Sequence, residues 1–275
     1  MGQGFSRCAG LRRFGLSFDG FGCRVLRWHL RDVDCGERCG PMQLDLGPDD
    51  RTQSLRNFQA KLIERFGRII RPPDKRRDPV WVLVHGVIGA QTKTAASNAS
   101  TDALIDEFGS WEKVAETSVK DLEARLQRQT FPSVAAQRLK ACLLAIIDKR
   151  GSVDLRHLSN YELADAMAWL ETLPGVARKN SAGVMNASTF DRRAMVIDGH
   201  HRRIMQRTGI VSAKADTAKT YDALMPIVPE EWSAADMDEH HLLLKKLGQT
   251  HCRPRKAQCE DCPVRQDCTF ARSGA

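Results

Sequence analysis

Four cysteines crowd the last stretch of the chain as Cys252-x6-Cys259-x2-Cys262-x5-Cys268. The loops between them are short enough for all four thiolates to reach one metal centre, and tetrahedral zinc and a cubane iron–sulfur cluster both use such a set. Zinc ribbons pair two Cys-x2-Cys knuckles across a longer loop, whereas this stretch has one knuckle. A second group lies in Leu173-Pro-Gly-Val-Ala-Arg-Lys-Asn-Ser-Ala182, between two helical patterns. Pro174-Gly175 forces a tight turn, so a new helix starts close by, and the outward backbone N–H groups around Gly175, Ala177 and Arg178 can hold a phosphate. Lys179 stands just inside that helix, and Asp198 follows in Val196-Ile-Asp-Gly-His200. A neutral amine can attack an electrophilic carbon and form a Schiff base, while a carboxylate can stabilise positive charge and move protons. Taken singly, each has a plainer account: an αα-corner, a solvated lysine and a helix-capping aspartate.

These groups sit in a chain of 275 residues, 42% hydrophobic and 28% charged, which suits a folded protein with one large core or two modest ones. No window approaches the roughly 18–20 uninterrupted apolar residues of a membrane-spanning helix, since the longest run, near Val80–Ile88, is broken by His85 and Gly86. The net charge of +8 favours a polyanionic partner, nucleic acid above all. Nine cysteines, odd in number and clustered at the two ends, fit metal ligation in a reducing compartment better than disulfides.

The elements that must position the chemistry read as helices. Leu55, Phe58, Leu62, Ile63 and Phe66 follow helical spacing after a Ser54 cap, giving a helix over 51–70. Leu139, Cys142, Leu143, Ile146 and Ile147 repeat the pattern up to Gly151, and Leu163, Met167 and Leu170 do so before Pro174. Further helices are expected at 80–91, 98–108, 118–127, 181–188, 199–208, 216–227 and 237–248. Alternating strand patterns are almost absent, so the fold class is all-α. The polar stretch Arg71–Arg77 and a point near Asp191 are the expected boundaries. Residues 1–41, rich in glycine and arginine, read as a disordered extension. They also fit an organelle transit peptide, a myristoylation pattern at Gly2 and Ser6, and a poor metal pair at Cys35 and Cys39.

The order of hairpin, lysine, aspartate and four-cysteine loop resembles the endonuclease III family of DNA glycosylases, from about Arg51 to Cys268. The resemblance implies a helix–hairpin–helix glycosylase fold with a [4Fe–4S] cluster on Cys252, Cys259, Cys262 and Cys268. It implies Lys179 and Asp198 as catalytic residues, the hairpin residues Gly175, Ala177 and Arg178 on the DNA backbone, and Gln91 filling the gap left by a flipped nucleotide. His200 matches the family's Asp-x-His pattern, as a support of local geometry at the DNA. Three positions depart from the pattern: Ala177 replaces a second glycine, Thr94 stands where an Asp is frequent, and His85 falls near the catalytic Glu of adenine-mismatch glycosylases. A core histidine with one hydrogen bond and a base-reading residue are the two accounts of His85.

The expected division is a helical domain over 72–191 with the hairpin, and a cluster domain from 42–71 plus 192–275, with DNA across the cleft. The expected activity is base excision with AP lyase cleavage, directed at oxidised pyrimidines in double-stranded DNA. Lys179 would be kept reactive by partial burial, with Arg178 contributing. The expected protein is a monomer in the cytoplasm, at the nucleoid. Two rivals remain: a monofunctional glycosylase related to the adenine-mismatch enzymes, and a non-catalytic module that binds damaged DNA. The pairs His200-His201 and His240-His241 invite a metal reading, weakly, because adjacent helical residues point about 100° apart. Arg202, Arg203, Arg253, Arg255 and Lys256 are phosphate contacts or solvated charge.

Overall fold

The computed structural model describes residues 50–273, which belong to one compact unit, Leu46–Ala275. The expectations for residues 1–41, including Gly2, Ser6, Cys35 and Cys39, lie outside the described residues. The order of helices is α1 (Asp50–Phe66), α2 (Pro79–Ile88), α3 (Thr94–Phe108), α4 (Trp111–Glu116), α5 (Val119–Arg125), α6 (Pro132–Arg150), α7 (Leu163–Glu171), α8 (Arg178–Ala187), α9 (Gly199–Thr208), α10 (Thr217–Leu224), α11 (Ala234–Thr250) and α12 (Thr269–Arg272). Among the described residues there is no strand, only an isolated bridge between Arg77 and Ser188. The fold is all-α, and no described helix is long and apolar enough to cross a membrane.

α2 is the central element. Asp78 starts it by accepting hydrogen bonds from the N–H groups of Val80 (2.8 Å) and Trp81 (3.3 Å), with Pro79 in the first turn. Val80, Leu83, Val84, Val87 and Ile88 are buried, covering more than one stripe, because α2 packs against α3, α6 and α8 together. α8 in turn contacts α7, α10 and α11, while α9 and α1 pack on α11. Close approach of α9 and α11 requires Gly248, where a Cβ would lie 2.7 Å from that of His200. The Arg71–Arg77 stretch is strapped down rather than loose. Arg71 pairs with Asp238 (3.2 Å) and the nearly buried Arg76 with Asp191 (2.7 Å).

Several helix starts correct the expectations. Ser54 is not a cap: α1 begins at Asp50, and the Ser54 hydroxyl donates to the Asp50 carbonyl at 2.9 Å. α1 stops at Phe66 because Gly67 turns the chain at φ +74°. α8 begins at Arg178, ahead of its first buried residue, Ser181, and α11 begins at Ala234 through a Ser233–Asp236 capping box. α10 ends at Leu224, where Pro226 replaces the helix with a 3-10 turn. The six residues of α4 carry too little periodicity to stand out.

His201 on α9 meets His240 and His241 on α11, with ring centroids 5.5 and 6.4 Å away, and Trp232 lies 4.9 Å from His240. All three imidazoles are buried, and a nitrogen of each lacks a partner. Among the described residues no group of His, Cys, Asp or Glu is gathered closely enough to hold a metal ion. Burial drives the pKa of His201 down to about 4 and that of His241 to about 3, and lowers that of His240. The unfolded chain therefore binds protons that the folded one refuses. Stability should hold above about pH 6.5 and fall toward pH 4, by up to about 1.4 kcal/mol per pH unit for each histidine. Urea midpoints between pH 8 and 4.5 check this, and a flat profile below pH 6 would contradict it.

Candidate active site

α7 ends at Glu171 and the chain turns through Pro174 and Gly175, whose φ of +79° places it in the left-handed region. The turn closes through the Val176 N–H to the Leu173 carbonyl (3.1 Å), and α8 starts at once. The N–H groups of Gly175, Ala177, Arg178 and Lys179 take no partner among the described residues. A ten-residue helix thus presents free amides and the positive end of its dipole at an exposed turn, the elements of an anion site. The Arg178 side chain is not part of that display. It bonds Glu171 (2.7 Å) and Asp222 (2.6 Å) and lies over the Tyr221 ring, pinning the hairpin to α7 and α10.

Behind the hairpin lies a cavity of about 860 Å³, lined by Lys179, Asp198, Gln91, His200, His85 and Lys245 among others. It brings together α8, the start of α9, the loop after α2 and one face of α11. Asp198 caps α9: its Oδ1 accepts from the N–H groups of His200 and His201, both at 2.8 Å, and its Oδ2 has no partner among the described residues. Burial raises its pKa, but the positive charge that His241 would carry once protonated, the His201 N–H and the charges of the other histidines outweigh this. The carboxyl therefore lies below its ordinary value and is ionised while those histidines are neutral. Asp198 therefore stays charged.

Lys179 makes no ion pair or hydrogen bond among the described residues. Its side chain is solvent-exposed where it faces the cavity, with protein packed around its other sides. Burial lowers its pKa, Asp198 acts in the opposite direction, and Lys245 lowers it further. The expected contribution of Arg178 is corrected: that guanidinium is turned away into its own ion pairs, and the second cation is Lys245 of α11. The sequence signal for Lys245 is the four-residue spacing of His241, Lys245 and Gln249, which puts all three on one face of α11, the face that lines the cavity.

Gln91 occupies the loop after α2 at φ +56°, a strained value for a residue other than glycine. The Thr130 hydroxyl fixes it by donating to the Gln91 carbonyl (2.9 Å), and Gln91 lines the cavity with no side-chain hydrogen bond among the described residues. Thr94 opens α3 and accepts a hydrogen bond from Lys245 Nζ (2.8 Å). His85 does not have the single hydrogen bond of a core histidine. Its ring stacks on Trp81 with centroids 5.3 Å apart, its Nε2 is buried without a partner, and burial followed by Lys179 and Lys245 pushes its pKa down to about 4. His200 supports local geometry: its Nδ1 meets Arg203 Nη2 at 3.1 Å beside Gly248.

Cys252, Cys259, Cys262 and Cys268 line one small apolar pocket at the end of α11, all as free thiols. Burial, with the other three cysteines adding to it, pushes the Cys262 thiol up to about 11. Arg207 donates to Cys252 Sγ (3.3 Å) and to the carbonyls of Arg253 and Pro254, while Arg203 donates to the Cys252 carbonyl (2.9 Å). Arg203 is thus a brace of this loop rather than a solvated charge. The four cysteines share the lining of this pocket, although among the described residues no group of His, Cys, Asp or Glu is gathered closely enough to hold a single metal ion. Four thiols lining one pocket are the donor set that a tetrahedral zinc or an iron–sulfur cluster would use. Cys142 lies instead in the core of α6, its thiol pushed up to about 12 by burial.

Residues 84–230 match the profile of the HhH-GPD superfamily base excision DNA repair protein. Endonuclease III of Thermotoga maritima is 24% identical over 219 residues, covering 79% of this chain and 93% of its own. Endonuclease III of Rickettsia conorii is 28% identical over 222 residues, covering 78% and 98%. A solved structure of a trapped endonuclease III–DNA covalent intermediate, an estranged-adenine complex, superposes with a TM-score of 0.65 at 22% identity, covering 81% of this chain and 98% of that one. Gly175→Ala tests the turn. The left-handed backbone should cost about 1–2 kcal/mol and lower the melting temperature by several degrees. An unchanged melting temperature would contradict that geometry.

Proposed function

Because the chain belongs to the HhH-GPD superfamily of base excision DNA repair proteins, we propose that it is a DNA glycosylase with AP lyase activity, using Lys179 as nucleophile and Asp198 as its charged partner. The observation that carries this is the meeting of an unpaired amine and a fixed carboxylate on one cavity, which is within the roughly 300–1,000 Å³ range of ligand sites. A damaged nucleotide would flip out of double-stranded DNA into it, with the Gln91 side chain taking its place in the stack. As the glycosidic bond breaks, its electron pair leaves with the base and positive charge gathers at C1′, where Asp198 stabilises it. The neutral Lys179 amine bonds C1′ and passes on its proton, the sugar ring opens, and a Schiff base results. Loss of a C2′ proton then expels the 3′ phosphate by β-elimination.

The free N–H groups of the hairpin would hold backbone phosphate, which reads no sequence and suits a search for damage. The neutral His85, stacked on Trp81, would offer its remaining nitrogen to the flipped base, and an oxidised pyrimidine is the substrate proposed. The division into 72–191 and 42–71 plus 192–275 is retained as part of this reading. It is supported by α1 packing on α11, and by a cavity walled by α2 and α8 on one hand and by α9 and α11 on the other. The protein would act as a monomer in the cytoplasm, at the nucleoid.

Cys252, Cys259, Cys262 and Cys268 would hold a [4Fe–4S] cluster. Its contribution would be structural, ordering the basic loop from Arg253 to Lys256 for phosphate contact. Iron analysis near four atoms per chain and absorbance near about 400 nm are expected of the purified protein; stoichiometric zinc without iron would contradict the assignment.

On an abasic-site duplex with borohydride, the protein should form a covalent adduct, and Lys179→Ala should form none. Asp198→Asn should keep duplex binding but slow base release from a thymine-glycol duplex by about 10²–10⁴-fold. Base release with no adduct would make water the nucleophile, the monofunctional alternative. Binding without any release would leave a damage-recognition module.

A further inference from the structure

The cavity carries more positive charge than its carboxylates neutralise. Arg71 is paired with Asp238, Lys75 with Asp74 and Arg77 with Asp102. Three lining ammoniums, Lys93, Lys179 and Lys245, have no carboxylate partner among the described residues. Lys93 is exposed ahead of α3, where solvent screens it. Lys245 is half-buried on α11, one turn after His241 and one before Gln249, on the helix face that forms the cavity wall. Its Nζ is held at 2.8 Å by the hydroxyl of Thr94, a neutral acceptor that fixes the ammonium in place without cancelling its charge.

We propose that Lys245 is the charge that keeps the Lys179 amine available as a nucleophile, with the neutral Thr94 anchoring it where a carboxylate would silence it. The inference rests on Lys179 being the nucleophile, and it assigns Lys245 a role exerted through Lys179 rather than on the substrate.

Burial is the largest influence that favours the neutral amine, and among the charged groups facing Lys179 only Lys245 acts in the same direction. From α2, His85 is kept neutral. On α11, His241 is kept neutral as well, and Asp238 is engaged with Arg71. Asp198, at the start of α9, favours the protonated amine. Lys245 is the cation that opposes Asp198, and a second cation near a lysine is an established means of freeing its amine at neutral pH. Thr94 and Lys245 are 151 positions apart and meet only where the fold brings the start of α3 to the cavity face of α11.

The amine can be read without DNA. Reductive methylation of Lys179 by formaldehyde and cyanoborohydride, followed by peptide mass spectrometry across pH 6–10, reports its titration in the full chain. Lys245→Gln and Thr94→Asp should each move the Lys179 profile upward by on the order of half a pH unit or more, an about threefold loss of reactive amine at pH 7. Lys245→Arg should leave it in place. Borohydride trapping on abasic DNA at saturating enzyme should shift along pH in the same way. Profiles unmoved by both charge-altering variants would overturn the proposal. So would a pH-independent slowing in Lys245→Gln, which would mark a phosphate contact instead. Failure of the unaltered protein to trap abasic DNA would overturn the lyase reading, while the methylation profiles would still decide whether Lys245 acts on Lys179.

Discussion

An amine and a carboxylate share one cavity here without neutralising each other, and the arrangement of the surrounding helices follows from that constraint. A direct ion pair would hold Lys179 protonated and leave Asp198 half-spent. The separation is built into the backbone. The start of α9 claims Asp198 Oδ1 with two amide N–H groups, and α8 begins only after the Gly175 turn has aimed Lys179 from another direction. Neither placement survives alone: α9 keeps its position through Gly248 on α11, and α8 through its packing on α2. The buried histidines extend the same logic, since they fill the space beneath Asp198 with groups that stay uncharged near neutral pH.

The helical class was legible because most helices bury a broad stripe, and a 3.6-residue period survives in the text. Helix starts were less legible. The caps at Asp78, Ser110 and Ser233 depend on local hydrogen bonds, and Ser54 had the right residue type in the wrong place. Lys179 and Asp198 could be singled out because their spacing from the Pro174-Gly175 turn matched a known pattern. Their meeting on one cavity could not be read from spacing.

The basic side chains whose partners the sequence did not reveal share a cause. The Arg178 side chain is taken by Glu171 and Asp222, 7 positions before it and 44 after it, which leaves its backbone N–H as the group the hairpin can offer to a phosphate. Arg203 read as a phosphate contact or a solvated charge, yet its side chain braces the cysteine loop from 49 positions away. Lys245 drew no notice because its worth lies in the neutrality of Thr94. Long-range pairing decides whether a basic side chain is free, and a linear text records the charge but not the partner. The cysteine loop is the opposite case: its ligand set is local, so spacing alone exposes it.

The central claim is that the amine at position 179 is the group that bonds the sugar. Peptide mapping of the borohydride-reduced protein–DNA adduct by mass spectrometry tests it most directly. The account predicts the deoxyribose remnant on the peptide that contains Lys179. A remnant on Lys93, Lys245 or any other amine would contradict it.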